Sequence, residues 1–162
     1  MTINHYKMPI KRHPSLIPVS REHHFGLLLC WKIREGLRLG IDAKRIKRYT
    51  DWFFEKYQKA HFDIEEKYIF TILPENHPLI VQAIQEHRYI EMLFGHGQND
   101  SLNDALTALE QAMEAHIRFE ERNLFNLIQE TATEEQLRLI EAHHNQPFGD
   151  DWEDAFWERK PT

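Results

Sequence analysis

Thirteen residues, His61 to Leu73 (HFDIEEKYIFTIL), return 55 positions later as His116 to Ile128 (HIRFEERNLFNLI). Each copy sets a histidine four residues before the first of two glutamates and follows them with an aromatic and aliphatic run. On a helix, residues i and i+4 share a face, so His61 with Glu65 and His116 with Glu120 each present an imidazole beside a carboxylate. Both pairs fall on apolar stripes. A carboxylate is costly there unless something pairs with it, so the repeat limits the chain to folds in which two such faces meet and share a partner. Two halves of one metal site meet that requirement.

The rest of the chain reads as helices that could carry such faces. Residues 1–19 hold Pro9, Pro14 and Pro18 and read as an extended lead-in. Ser20 is a natural N-cap for a first helix ending at Gly40, with a stripe of His23, Leu27, Cys30, Ile33 and Leu37. Asp42 can cap a second helix that runs to about Leu73 before Pro74, with a seam of Phe54, His61, Glu65, Tyr68 and Ile72. Pro78 opens a third helix, ended by Gly95 and Gly97, whose stripe is Ile80, Ile84, His87 and Phe94. Asn99, Asp100 or Ser101 can cap a fourth, with a seam of Leu102, Leu106, Leu109, Met113, His116, Glu120, Leu124 and Leu127. Thr133 and Gln136 form a capping box for a short last helix to about His144. The expected fold is all-α: an up-down-up-down antiparallel four-helix bundle over residues 20–130, followed by a short helix and an acidic aromatic tail over residues 131–162.

Each of the four long helices places a histidine on its stripe: His23, His61, His87 and His116. With Glu65 and Glu120 they make six candidate ligands that can converge in one layer of a bundle. Six such ligands suit two metal ions, with both carboxylates bridging, His23 and His61 completing one ion, and His87 and His116 the other. His24 is a second candidate on the first helix, because it adjoins His23, although the stripe is centred nearer His23. Glu66 and Glu121, one step round from the paired glutamates, read as solvated. Imidazole and carboxylate without sulfur suit iron or manganese, and zinc by ligand type. Cys30 is the one cysteine, which excludes an internal disulfide and any cysteine-built cluster.

Charge is divided unevenly. Residues 1–59 carry 13 Lys and Arg against 5 Asp and Glu, and residues 60–162 carry 7 against 21, so the halves are expected to pair with each other inside one domain. The acidic half argues against nucleic-acid binding. No apolar run is long enough to span a membrane and no apolar signal core leads the chain, so the expected location is the cytoplasm. Trp152, Phe156 and Trp157 in the tail are expected to pack back on the bundle.

The segments REHH (21–24), HFDIEEKYIF (61–70), EHRYIEML (86–93) and HIRFEERNLF (116–125), in that order, resemble the hemerythrin-like, or HHE cation-binding, family over roughly residues 20–130. The resemblance implies a non-haem di-iron centre with oxo- or hydroxo-bridged irons and two bridging carboxylates. It departs from the oxygen carriers at Glu91, where they have a second histidine of the third helix, and at Glu120, where they have an aspartate one residue later in the motif. Glu91 is thus a further candidate ligand, and reversible oxygen carriage is not implied. The expected function is binding or sensing of dioxygen or a related small oxidant, nitric oxide or peroxide, by two iron ions. Alternatives are a di-iron oxidase or peroxidase, in which Glu91 moves on and off the metal or handles protons, and an iron-buffering or structural bundle. No particular protein partner is indicated.

Overall fold

The structure, a computed structural model describing residues 11–95, 101–144 and 149–159, is mainly helical between Pro14 and His143 and has no strand among those residues. Helix begins earlier than the prolines suggest. Pro14–Leu16 forms a 3-10 turn that runs into α1 (Ile17–Arg38), and Pro18 sits in the first turn, where the N–H it lacks would have no partner within the helix. Ser20 is therefore inside α1 and caps nothing, and the expected lead-in is helical over residues 14–19. Residues 1–10, with Pro9, lie outside the described residues. At the far end Gly40 takes φ 70°, a conformation that suits glycine. It turns the chain so that Ile41 N–H donates to Gly36 O (3.0 Å) and Gly40 N–H to Leu37 O (3.1 Å), closing the helix in a Schellman pattern.

The second long helix, α2, spans residues 43–72, with Asp42 Oδ1 accepting from Lys44 N–H at 3.0 Å. It is not uniformly α-helical. Ala43–Phe53 and Lys59–Ile64 are α, Phe54–Gln58 and Glu65–Ile69 are wider π turns, and Phe70–Ile72 is 3-10. Its buried stripe reads Phe53, Tyr57, His61, Glu65 and Ile69, every fourth residue. In a regular α-helix each such step drifts by about 40°, and four steps would carry Ile69 some 160° away from the face of Phe53. The π turns take up that drift. They also explain why Phe54, Tyr68 and Ile72, expected on the seam at α-helical spacing, are half-buried, while Ile69 and Leu73 take the core positions.

His77 Nδ1 accepts from Leu79 N–H (3.1 Å) to start α3 (Pro78–Phe94), and Gly95 ends it; Gly97 is outside the described residues. Ser101 caps α4, residues 102–131, which repeats the device of α2: Leu102–Phe119 and Phe125–Thr131 are α, and Glu120–Leu124 is a π turn. In both copies of the repeat the π turn starts on the first glutamate, and in α4 it brings Ile128 into the core in place of Leu127. Thr133 and Gln136 form the capping box of α5 (Glu134–His143).

Two apolar clusters fill the interior. One is built from residues such as Leu29, Ile33, Phe53, Ile90 and Met113, the other from Val19, Ile69, Ala83, Leu124 and Ile128. Every long helix passes from one cluster to the other at its histidine. α1 and α3 pass from the second cluster to the first, and α2 and α4 pass the other way. A polar layer thus lies between two dry ones. Outside it the charged halves of the chain pair with each other: Arg12 with Glu121 (3.0 Å), Arg34 with Glu110 (2.7 Å) and Arg45 with Asp154 (2.6 Å). The tail packs back on the first cluster, with Phe156 fully buried 5.6 Å from Tyr49 and the buried Lys32 bonded to Asp150 and lying 3.9 Å over the Trp157 ring.

Candidate metal centre

All four stripe histidines turn Nε2 toward the same two carboxylates. His61 Nε2 lies 3.0 Å and His87 Nε2 3.3 Å from Glu65 Oε1. His116 Nε2 lies 2.8 Å and His23 Nε2 3.3 Å from Glu120 Oε1, and His23 Nε2 is also 3.7 Å from Glu65 Oε2. The six side chains form two overlapping groups, His23, His61, Glu65 and Glu120, and Glu65, His87, His116 and Glu120. Within each group the ligand-type atoms lie within 4.8 Å of one another. Both glutamates belong to both groups. Stacked rings hold two of the imidazole planes, Phe62 on His87 (centroids 3.7 Å apart) and Phe125 on His23 (5.3 Å).

This layer is short of partners. Nε2 of His23, His87 and His116 and both oxygens of Glu65 and Glu120 are buried and make no hydrogen bond. The close approaches between them lack hydrogen-bond alignment. So many unpaired buried polar atoms around one point would be prohibitively costly in a dry interior unless a cation joins them. The donor set, four imidazole nitrogens and two carboxylates, fits first-row transition ions.

The protonation balance points the same way. Burial opposes the charged forms, yet the surrounding imidazoles, His61 foremost, hold the Glu65 carboxyl well below the usual range. Conversely burial disfavours charged histidine, yet Glu65 and Glu22 raise His61 to about 9, and Glu120 and Glu86 raise His116 to about 10. Protons therefore stand in for positive charge at this spot, and a metal ion would displace them.

Behind the histidines is a second ring of carboxylates. Nδ1 of each stripe histidine faces a glutamate on a neighbouring helix: His61 to Glu22 on α1 (3.4 Å), His87 to Glu66 on α2 (2.8 Å), His116 to Glu86 on α3 (2.9 Å) and His23 to Glu121 on α4 (2.7 Å). Each helix supplies a carboxylate to the next helix's histidine, and the fourth returns to the first. A proton on Nδ1, donated outward, leaves the Nε2 lone pair facing inward. The outer carboxylates are themselves held, Glu121 by Arg12, Glu66 by Arg88, Glu86 by Gln82 and Glu22 by His144.

Glu66 and Glu121 are therefore not the solvated residues that their position suggests. The missed signal is a residue beside each inner ligand: Glu22-His23 and Glu86-His87 on α1 and α3, Glu65-Glu66 and Glu120-Glu121 on α2 and α4. One step, about 100° round the helix, points such a residue at the neighbouring helix. Two other candidates do not join the inner groups. His24 is exposed and packs beside Phe25. Glu91 is turned outward, with both oxygens 2.6 Å from Arg88 Nη1, so it reaches the site only through Arg88 and Glu66.

Beside His23 and His61 is a small cavity with about 10 Å³ of room for a water-sized guest, walled by Gly26, Gln58, Phe62, Met113 and Ile117. A Cβ on Gly26 would come within 2.8 Å of Ile117 Cδ1, so the lack of a side chain there permits the close approach of α1 and α4 at the cavity wall.

A family model described as the hemerythrin HHE cation binding domain matches residues 20–128. Comparison with curated proteins and with solved structures found no match.

Proposed function

The chain belongs to the hemerythrin HHE cation-binding family, and on that premise we propose that it is a non-haem di-iron protein that binds or senses dioxygen or a related small oxidant. The observation that carries this reading is the pair of overlapping His/Glu groups with their buried, unpaired ligand atoms. In it, His23 and His61 would hold one ion and His87 and His116 the other, with Glu65 and Glu120 shared between them, and two irons so held would supply redox chemistry toward a small ligand. The residues of the chain do the rest. Glu22, Glu66, Glu86 and Glu121 orient the imidazoles, Phe62 and Phe125 fix their planes, and the two apolar clusters keep bulk water away.

Binding is favoured over turnover of an organic substrate because the cavity at the His23 and His61 end admits little more than a water-sized guest. The reading includes an up-down-up-down antiparallel bundle over residues 20–130, supported by the alternating direction in which the four helices pass between the core clusters. It also includes a cytoplasmic location; no helix among the described residues is long and apolar enough to cross a membrane.

The test is metal analysis of protein purified from iron-replete cells, followed by mixing the reduced protein with dioxygen and recording the spectrum. About two irons per chain and a charge-transfer band that persists support the proposal. No metal, or rapid bleaching with steady consumption of reductant, would replace it with a structural role or an oxidase, respectively.

A further inference from the structure

Gln58 belongs neither to the inner His/Glu groups nor to the outer ring of carboxylates. It is 95% withdrawn from solvent, with 5% exposure, and it has no hydrogen-bond partner among the described residues. It lines the cavity beside His23 and His61. The other walls of that cavity away from the histidine and glutamate layer are apolar: Phe62, Met113 and Ile117, with the bare backbone of Gly26. One neutral amide side chain in an otherwise apolar wall is conspicuous, because beside so small a space it offers the hydrogen bond that the apolar wall residues cannot give an entering ligand.

Its placement follows from the backbone. Gln58 is the last residue of the first π turn of α2, Phe54–Gln58, and it lies three residues before His61 and four before Phe62 on the same face. Tyr57 and Gln58 are both buried, a width of inward face that the π turn provides.

We propose that the Gln58 amide donates a hydrogen bond to a small anionic ligand entering the cavity beside His23 and His61, and so selects ligands that carry a hydrogen-bond acceptor on their outer atom. The inference rests on the di-iron reading above. A neutral donor suits this position. It assists a ligand that brings negative charge without adding a charge of its own next to the two histidines, and it gives little to a ligand that accepts weakly. The apolar walls sharpen the discrimination, since no water in them competes for the ligand.

The experiment compares the full chain with Gln58→Leu, both loaded with iron and assayed for metal before any ligand is added. Azide is titrated into the oxidised proteins and nitric oxide into the reduced ones, each followed by its absorption bands. The expected result is that Gln58→Leu holds iron like the parent but binds azide about tenfold more weakly, the usual scale of a hydrogen bond to a charged group, while nitric oxide affinity changes by less than about threefold. Equal weakening of both ligands would reduce Gln58 to a filler of space and overturn the proposal, as would unchanged azide affinity. An iron-free parent protein would appear in the metal assay and overturn the di-iron reading itself, whereas an iron-loaded parent that ignores azide overturns only the role of Gln58.

Discussion

Glu121 on α4 accepts a hydrogen bond from Nδ1 of His23 on α1 at 2.7 Å, although the two are 98 residues apart. The contact closes a ring in which each of four helices steadies a histidine of another. Arg12 in turn holds Glu121 through Oε2 at 3.0 Å. The segment before α1 and α1 itself are thereby both tied to α4 through one carboxylate.

Replacing Glu121 by Ala should leave the fold intact and weaken metal binding at the His23 end by about 10- to 100-fold, the usual cost of losing such an outer partner. Competition against a chelator of known affinity measures it. Glu91→Ala, whose carboxylate faces Arg88, should cost less than about threefold in the same assay, because two residues separate it from His87.

Removing inner ligands should have a larger effect. His61→Ala combined with Glu120→Ala removes one member from each copy of the repeat and should abolish more than half of the bound metal, read by elemental analysis of the purified variant. Because Glu120 is fully buried and supports the charge of His116 in the metal-free protein, the metal-free variant should also melt below the metal-free parent.

Acidity should act on the metal-free protein in a defined direction. His61 and His116 are raised from 6.5 to about 9 and about 10, so the stability they give is complete below pH 6.5 and is lost as pH rises through 9 to 10. The stability of the metal-free protein should therefore fall between pH 7 and pH 10 by an amount on the order of a few kcal/mol, followed through its melting temperature. The metal-loaded protein should show little of this fall, because the ions occupy the place of those protons. On the acid side Glu22, lowered to about 2 against its burial by His144 and His61, keeps its contribution above pH 4.5 and loses it as pH drops through 2.

The tail is part of the core. Phe156 is fully buried against the first apolar cluster, and Phe156→Ala should destabilise the protein by about 3–5 kcal/mol, measured by urea unfolding. Metal content should not change, because the ring contacts of Phe156 are with Tyr49 and Trp157 and none joins it to a histidine among the described residues.

Much of this was legible in the residues themselves. Helix ends were marked by chemistry that acts locally, Gly40 with its positive φ, Asp42 and Ser101 at N-caps, and the Thr133 and Gln136 box. Four of the six inner side chains, His61, Glu65, His116 and Glu120, share one repeated spacing, His23 and His87 lie on the stripes of the other two helices, and the structure gathers all six. What escaped notice depends on phase or on a neighbour. Tyr68 and Leu127 were expected in the core because 3.6 residues per turn puts them there, and the π turns at Glu65 and Glu120 hand those places to Ile69 and Ile128. Glu66 and Glu121 look solvated on an isolated helix and become partners only when the adjoining helix brings its histidine. Pro14 and Pro18 read as breakers, yet both sit at helix starts where proline is tolerated.

The π turns also give α2 and α4 an unusual sensitivity to length. Each π turn, two in α2 and one in α4, carries one more residue than a regular ladder would hold, and that surplus residue sets the angle of everything after it. Deleting a single residue between Glu66 and Tyr68 would turn Ile69 and Phe70 by about 100° relative to Glu65, swinging a buried flank into solvent without altering the chemistry of any side chain that remains. In these two helices a miscount of one is a more damaging lesion than most substitutions, and the same deletion in the connection at residues 74–77 should be absorbed.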